Sequence, residues 1–229
     1  MYNEIIEGIF IKRVNRFIAE VLIDNKIEKV HVKNTGRCRE LFIEGKKCYL
    51  EKSNNSNRKT KYSLISIYKN DLLINIDSQI PNKVVYDSIV DKKILSELNP
   101  TNVVREKQYK NSRFDIKFHS ESLKKDFYLE VKGVTLENKG VAMFPDAPTE
   151  RGSKHILELI DARKNGYGAI IVFLIQFSNA KLFKPNSPMD PNFSNNLENA
   201  SKSNVRILAY DSIVTRDNIR INKEIKVQI

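Results

Sequence analysis

The 229-residue sequence predicts an α+β / α/β chain in two parts: a small β-barrel or sandwich over residues 1–80, then a mixed-sheet α/β domain over 81–229. Three observations predict it. Five or six short apolar runs, separated by turn residues, fill the first 80 positions. Past Pro81-Asn82 the apolar spacing alternates between helical and strand periods. Finally, Ala169–Phe177 is apolar on both faces, as a central strand covered by helices must be.

The first part reads as strands at Ile9–Val14, Phe17–Ile23, Ile27–Val32, Cys48–Leu50, Tyr62–Tyr68 and Leu72–Ile76. Asp24-Asn25, Asn34-Thr35-Gly36, Glu44-Gly45, Ser53–Asn57 and Lys69-Asn70-Asp71 supply the turns between them. After the boundary at Pro81-Asn82, Tyr86, Ile89, Val90, Ile94 and Leu98 fall at helical spacing, closed by Asn99-Pro100. A strand at Val103–Tyr109, a hairpin, and a loop around Gly140 follow. Ser153 is the expected cap of a helix that Gly166 stops. Beyond strand Ala169–Phe177, a Pro/Asn-rich connection (Lys181–Asn192), a helix (Phe193–Lys202) and a strand (Val205–Tyr210) predict a parallel crossover, with an edge strand in the tail from Ile219.

Composition narrows the function. A net charge of +11 on a chain that is 41% hydrophobic and 29% charged describes a folded protein whose basic surface favours a polyanion partner, most often nucleic acid. The longest apolar run, Ala169–Ile175, is far too short to span a membrane, and the first residues lack a signal-peptide layout. Cys38 and Cys48 complete no metal set and read as reduced thiols, so a cytoplasmic location is expected. A homodimer is only the general default for oligomeric state.

The chemistry concentrates in Arg113–Val134. Phe114-Ile116-Phe118 and Phe127-Leu129-Val131 alternate as two half-buried strands. With Phe118 opposite Phe127, Asp115 falls across from Glu130 with Cβ atoms ~5 Å apart, and Lys132 projects from the same face as Glu130. Two facing carboxylates repel unless a cation lies between them. The set suits Mg²⁺ or Mn²⁺, which takes one or two carboxylates beside a substrate phosphate, with a nearby ammonium to orient water or steady charge. A solvated hairpin with an ordinary Glu/Lys pair is the alternative.

Cations elsewhere sit in the barrel's connections: Lys12 to Phe17 with Arg13, Asn15 and Arg16; Asn34 to Arg39 with Arg37; and Arg58-Lys59-Thr60-Lys61-Tyr62. Such groups neutralise or bond phosphates, or simply solvate a surface. Phe17 or Tyr62 is of the type that stacks on a base, though Phe17 reads better as core. Met143–Gly152, with two prolines and a glycine before a helix start, suggests a rigid loop over a site able to hold phosphate, and His155 lies in the first turn of that helix.

Together the segments Arg13–Phe17, His31–Arg37, Arg58–Tyr62, Ser112–Asp115, Glu130–Lys132 and Phe144–Gly152 with Lys154-His155 resemble the sugar fermentation stimulation protein A (SfsA) family over nearly the whole chain. Departures are Cys38, where the family carries an apolar residue, and Gly133, where it carries Ser. The resemblance implies an N-terminal OB-like barrel followed by a PD-(D/E)XK nuclease-like domain, DNA binding largely without sequence preference, and a link to sugar utilisation. It makes Asp115 and Glu130 metal ligands, with the Val131 carbonyl as a further one, and Lys132 the catalytic lysine; Glu106 and Glu150 are weaker candidates. Arg13, Asn15, Arg16, Asn34, Arg37, Arg58 and Lys59 become the DNA-facing group, and Asp146, Glu150, Arg151 and His155 the loop over the site.

Three functions follow. One is a Mg²⁺-dependent phosphodiesterase that holds DNA on its barrel. A second is a non-catalytic DNA-binding regulator of sugar metabolism on a nuclease-like scaffold. The third, a hydrolase of small phosphorylated compounds, leaves the +11 charge unexplained.

Overall fold

The computed structural model describes residues 1–34, 36–55 and 57–229; Thr35 and Ser56, each inside a turn expected from sequence, lie outside the described residues. Six strands form the first unit: β1 (Ile5–Arg13), β2 (Ile18–Ile23), β3 (Lys26–Val32), β4 (Lys47–Lys52), β5 (Tyr62–Lys69) and β6 (Leu72–Asn75). Their order is β3-β2-β1-β4-β5-β6, and a parallel β3–β5 pairing closes five of them into a barrel. Closure removes the sheet edges that an open sheet of this size would expose. The alternating residues Phe10, Val21, Val30, Leu50 and Leu64 fill the interior.

The second unit carries a sheet of order β15-β14-β12-β9-β8-β7, built from β7 (Pro100–Tyr109), β8 (Ser112–Ser120), β9 (Lys125–Val134), β12 (Gly168–Ile175), β14 (Arg206–Val214) and β15 (Ile219–Glu224). β9, β12 and β14 run parallel, and β7, β8 and β15 antiparallel to their neighbours. Helix α1 (Ile80–Val90) covers one face; α2 (Glu150–Lys164) and α3 (Pro191–Lys202) cover the other. The crossover from β12 through α3 to β14 is parallel, as expected.

Several elements differ from the sequence reading. The first helix ends at Val90, not near Asn99: Lys92 takes a left-handed φ of 55°, and Ile94, Leu95 and Leu98 enter the core through a turn and a single 3₁₀ turn. Their spacing marked burial rather than helix. Thr149, not Ser153, caps α2, its hydroxyl accepting from the Gly152 N–H; Ser153 is buried inside the first turn. A small sheet, β10 (Leu136–Asn138), β11 (Val141–Phe144) and β13 (Leu182–Pro185), occupies stretches that read as loop. Gly166, at φ +86°, ends α2 where glycine was expected to.

Candidate metal centre and nucleic-acid interface

The hairpin register is the one anticipated, with Phe118 opposite Phe127 and Ile116 opposite Leu129. There the β8–β9 ladder stops. Beyond it Phe114 leaves the α1-side core that holds Ile116 and Phe118 and packs instead with Tyr109, Tyr128 and the edge of His155, on the α2 side. All three phenylalanine and isoleucine positions are buried as alternation required, but not in one core. The parting of the strands leaves the Val131 N–H without a ladder partner, and Asp115 Oδ2 accepts it at 2.7 Å. Asn82, in the first turn of α1, donates to Asp115 Oδ1 at 2.6 Å.

Glu130 lies on the opposite side of β9 from Leu129 and is 2% exposed. Both Lys132 Nζ, at 2.6 Å, and His155 Nδ1, at 2.5 Å, bond the same oxygen, Oε1. Its Oε2 is buried with no hydrogen-bond partner among the described residues. Burial pushes the Glu130 carboxyl up, but the His155 hydrogen bond and the Lys132 charge outweigh it and hold it below the ordinary range. Asp115 goes the other way: burial first, and the Glu130 charge second, push it up to about 6 against the hydrogen bonds from Val131 and Asn82 and the Lys132 charge. An orphaned carboxylate oxygen beside a second carboxylate that resists ionisation describes a place where positive charge is missing. The residues therefore fit a hard divalent cation, although no group of three or more acidic, His or Cys side chains in metal-binding arrangement occurs among the described residues.

The other candidates divide. Val131 engages Asp115 through its N–H. Glu106, on the exposed edge strand, pairs with Arg113 at 3.4 Å and lines the same cavity as Asp115. Glu150 and Arg151 are exposed at the start of α2. Asp146 packs on the barrel: a Cβ on Gly36 would lie 2.5 Å from its Oδ2, so only glycine admits this loop so closely. Gly133, one of the two departures from the family pattern, is similarly wedged, with Gln176 Oε1 2.5 Å and Pro81 Cγ 2.8 Å from where a Cβ would stand.

The barrel's cations divide. Arg13 is half-buried and its guanidinium is engaged by backbone, donating to the carbonyls of Gly36, Arg37, Arg16 and Asn34 at 2.7–2.8 Å and lying over the Phe42 ring. Asn15 and Asn34 likewise spend their side chains on local backbone, Asn15 on Phe17 and Ile18, Asn34 on Gly36 and Ile76. Arg16, Arg37 and Lys59 are exposed, and Arg58 is half-buried, bonded to Ser63. Phe17 is not in the core but 50% exposed, whereas Tyr62 is buried.

A cavity of about 550 Å³ lies between Phe17, His31, Arg58 and Lys59 on the barrel and Ser78-Gln79 of the linker. A second, of about 560 Å³, runs from Ser78-Gln79 past Asn82 and Arg105 to Asp115. The two share Ser78-Gln79 of the linker, so together they lead from the basic barrel face to Asp115; Glu130 is buried behind it and lines neither. Sequence reasoning missed Asn82, Ser78 and Gln79; they touch the site only through folding, and nothing local marks them.

Fold and groove define a class: an OB barrel joined to a mixed-sheet domain, with a buried acidic–basic cluster in the second unit. Family models agree, the SfsA N-terminal OB domain matching residues 11–76 and the sugar fermentation stimulation protein RE domain matching 79–218. A sugar fermentation stimulation protein homolog of Clostridium botulinum is 54% identical over 99% of this chain and 98% of its own. One of Alkaliphilus oremlandii is 50% identical over 99% and 97%. A solved structure of Pyrococcus furiosus SfsA in complex with Ca²⁺ superposes with a TM-score of 0.89 at 31% identity, covering 100% of this chain and 98% of that one. The chain belongs to the sugar fermentation stimulation protein (SfsA) family.

Proposed function

We propose that this protein binds DNA largely without sequence preference and hydrolyses phosphodiester bonds at Asp115, Glu130 and Lys132 with Mg²⁺ or Mn²⁺. The observation that carries the reading is the orphaned Glu130 Oε2 on a carboxylate whose charge is felt at Asp115, with Asp115 itself lining the cavity that adjoins the barrel's cations. Ca²⁺ in the Pyrococcus furiosus relative is a hard, oxygen-seeking ion of the kind these carboxylates suit.

Asp115 and Glu130, with the Val131 carbonyl, would hold the cation, which supplies charge to polarise a phosphoryl oxygen and to lower the pKa of a bound water. Lys132 keeps its ammonium within 2.6 Å of Glu130, placed to offset charge growing on the phosphate. His155 fixes the Glu130 carboxylate from behind. Arg58, Lys59, Arg16 and Arg37 neutralise phosphates along the approach.

The non-catalytic reading has one observation in its favour, since both oxygens of Asp115 already hold hydrogen bonds. Incubating the pure protein with DNA and Mg²⁺ or Mn²⁺ separates the two. Wild type cuts, and Glu130→Ala and Lys132→Ala lose at least about 100-fold in rate. Cutting that persists in both variants places the activity elsewhere, and a wild type that binds DNA without cutting leaves the regulator.

A further inference from the structure

The groove's outer end is built for something the phosphate backbone does not need. Among eleven phenylalanines and nine tyrosines, Phe17 alone has an exposed side chain. It is not loosely held. Its N–H donates to Asn15 Oδ1 at 2.8 Å and its carbonyl accepts from the Val32 N–H at 2.8 Å, so the ring is carried on a backbone fixed from both sides. Leaving an aromatic in water forfeits the burial that the other nineteen obtain, in a chain with ample core to receive it.

The surroundings are specific. Phe17 ends the connection between β1 and β2, and across a cavity of about 550 Å³ it meets Arg58 and Lys59 from the connection between β4 and β5. Those are the two loops with which OB barrels take oligonucleotides. A flat apolar ring beside cations matches a nucleotide with its base free and its phosphate close by. It does not match duplex DNA, whose bases are already stacked on one another and present only edges and phosphates.

The geometry points to a single-stranded DNA segment as the occupant of this groove, one unpaired base stacking on Phe17 while Arg58 and Lys59 take the adjacent phosphates. This rests on the DNA-binding reading above and adds the strand state of the substrate. Because the adjoining cavity shares Ser78-Gln79 and reaches Asp115, the strand held at Phe17 is the strand delivered to Asp115.

The test uses the full chain in EDTA, so that cleavage plays no part, with a short oligothymidylate and a duplex of equal length. Wild type binds the single strand more tightly. Phe17→Ala raises Kd for the single strand about tenfold, as expected for one lost stacking contact, and leaves the salt dependence unchanged because no phosphate contact is lost. Arg58→Ala reduces that salt dependence. The sequence has no tryptophan, so Phe17→Trp keeps the affinity and reports stacking by quenched emission. Equal affinity of Phe17→Ala and wild type for the single strand, or an indole emission from the Phe17→Trp variant that does not change when oligonucleotide binds, overturns the proposal while DNA binding stands. No binding to either form overturns the parent reading as well.

Discussion

At the scale of single residues, Asp115 shows what a site costs its fold. Its carboxyl is pushed up to about 6 from an ordinary 3.8, because burial and the Glu130 charge both oppose ionisation. Between those values the folded state holds a proton the unfolded chain has released, so stability falls as pH rises from about 4 to about 6 and the loss is complete at neutral pH. Asp115→Asn removes the charge and keeps a side chain that can accept the Val131 N–H. In metal-free buffer the variant gains on the order of 2 kcal/mol over wild type at about pH 7 and nothing near pH 4. Added Mg²⁺ narrows the gap by stabilising wild type alone. Denaturant titrations across pH read this directly; parallel curves for the two proteins would mean that Asp115 carries no such burden.

Arg13 makes a different point: expected as a phosphate contact, it spends its guanidinium on backbone as a structural pin. Four carbonyls from the β1–β2 turn and from the segment after β3 converge on one guanidinium. Arg13→Lys cannot reproduce that fork and costs about 2 kcal/mol of stability. Arg16→Lys and Arg37→Lys, on exposed side chains, stay within about 0.5 kcal/mol. Urea unfolding of the three variants distinguishes pin from surface charge, and equal small losses would return Arg13 to the surface group.

At the scale of elements, legibility followed how local the cause was. The strands of the barrel and the register of β8 on β9 were readable because alternation and turn residues act within a few positions. That register placed Asp115 and Glu130 near each other before any coordinates. What alternation missed was the parting of the strands at Ile116, which moved Phe114 to the other core and freed the Val131 N–H for Asp115. The α1 reading failed for a related reason: Ile94, Leu95 and Leu98 are buried by a turn, and burial has the same signature whatever backbone delivers it. The cap of α2 shifted by four positions because both Thr149 and Ser153 are of the capping type, and in the fold it is Thr149 that accepts the Gly152 N–H. Strands β10, β11 and β13 are three or four residues long and carry too little pattern to stand out.

On the scale of the whole molecule, the two family models do not correspond to two independent bodies. One apolar cluster runs without a break from Phe10, Leu64 and Ile76 of the barrel to Val134, Phe173 and Phe177 of the second unit. Polar links cross the same boundary. Gln176 donates to Asn75 Oδ1 at 2.9 Å and to the Asp77 carbonyl at 3.1 Å, its own carbonyl accepts from the Asn75 N–H, and Lys69 pairs with Glu137. Gly133 against Pro81 and Gly36 against Asp146 leave no room for the units to move apart without losing packed contacts. The proposed path of one strand from Phe17 to Asp115 would need this, because a hinge at Ser78-Gln79 would break it in its middle. Thermal unfolding is therefore expected to be a single transition, with calorimetric and van't Hoff enthalpies equal. Gln176→Ala should lower its midpoint without splitting it. Two resolved transitions in the wild type would show barrel and sheet melting separately, and the continuous groove would then be one arrangement among several rather than a property of the fold.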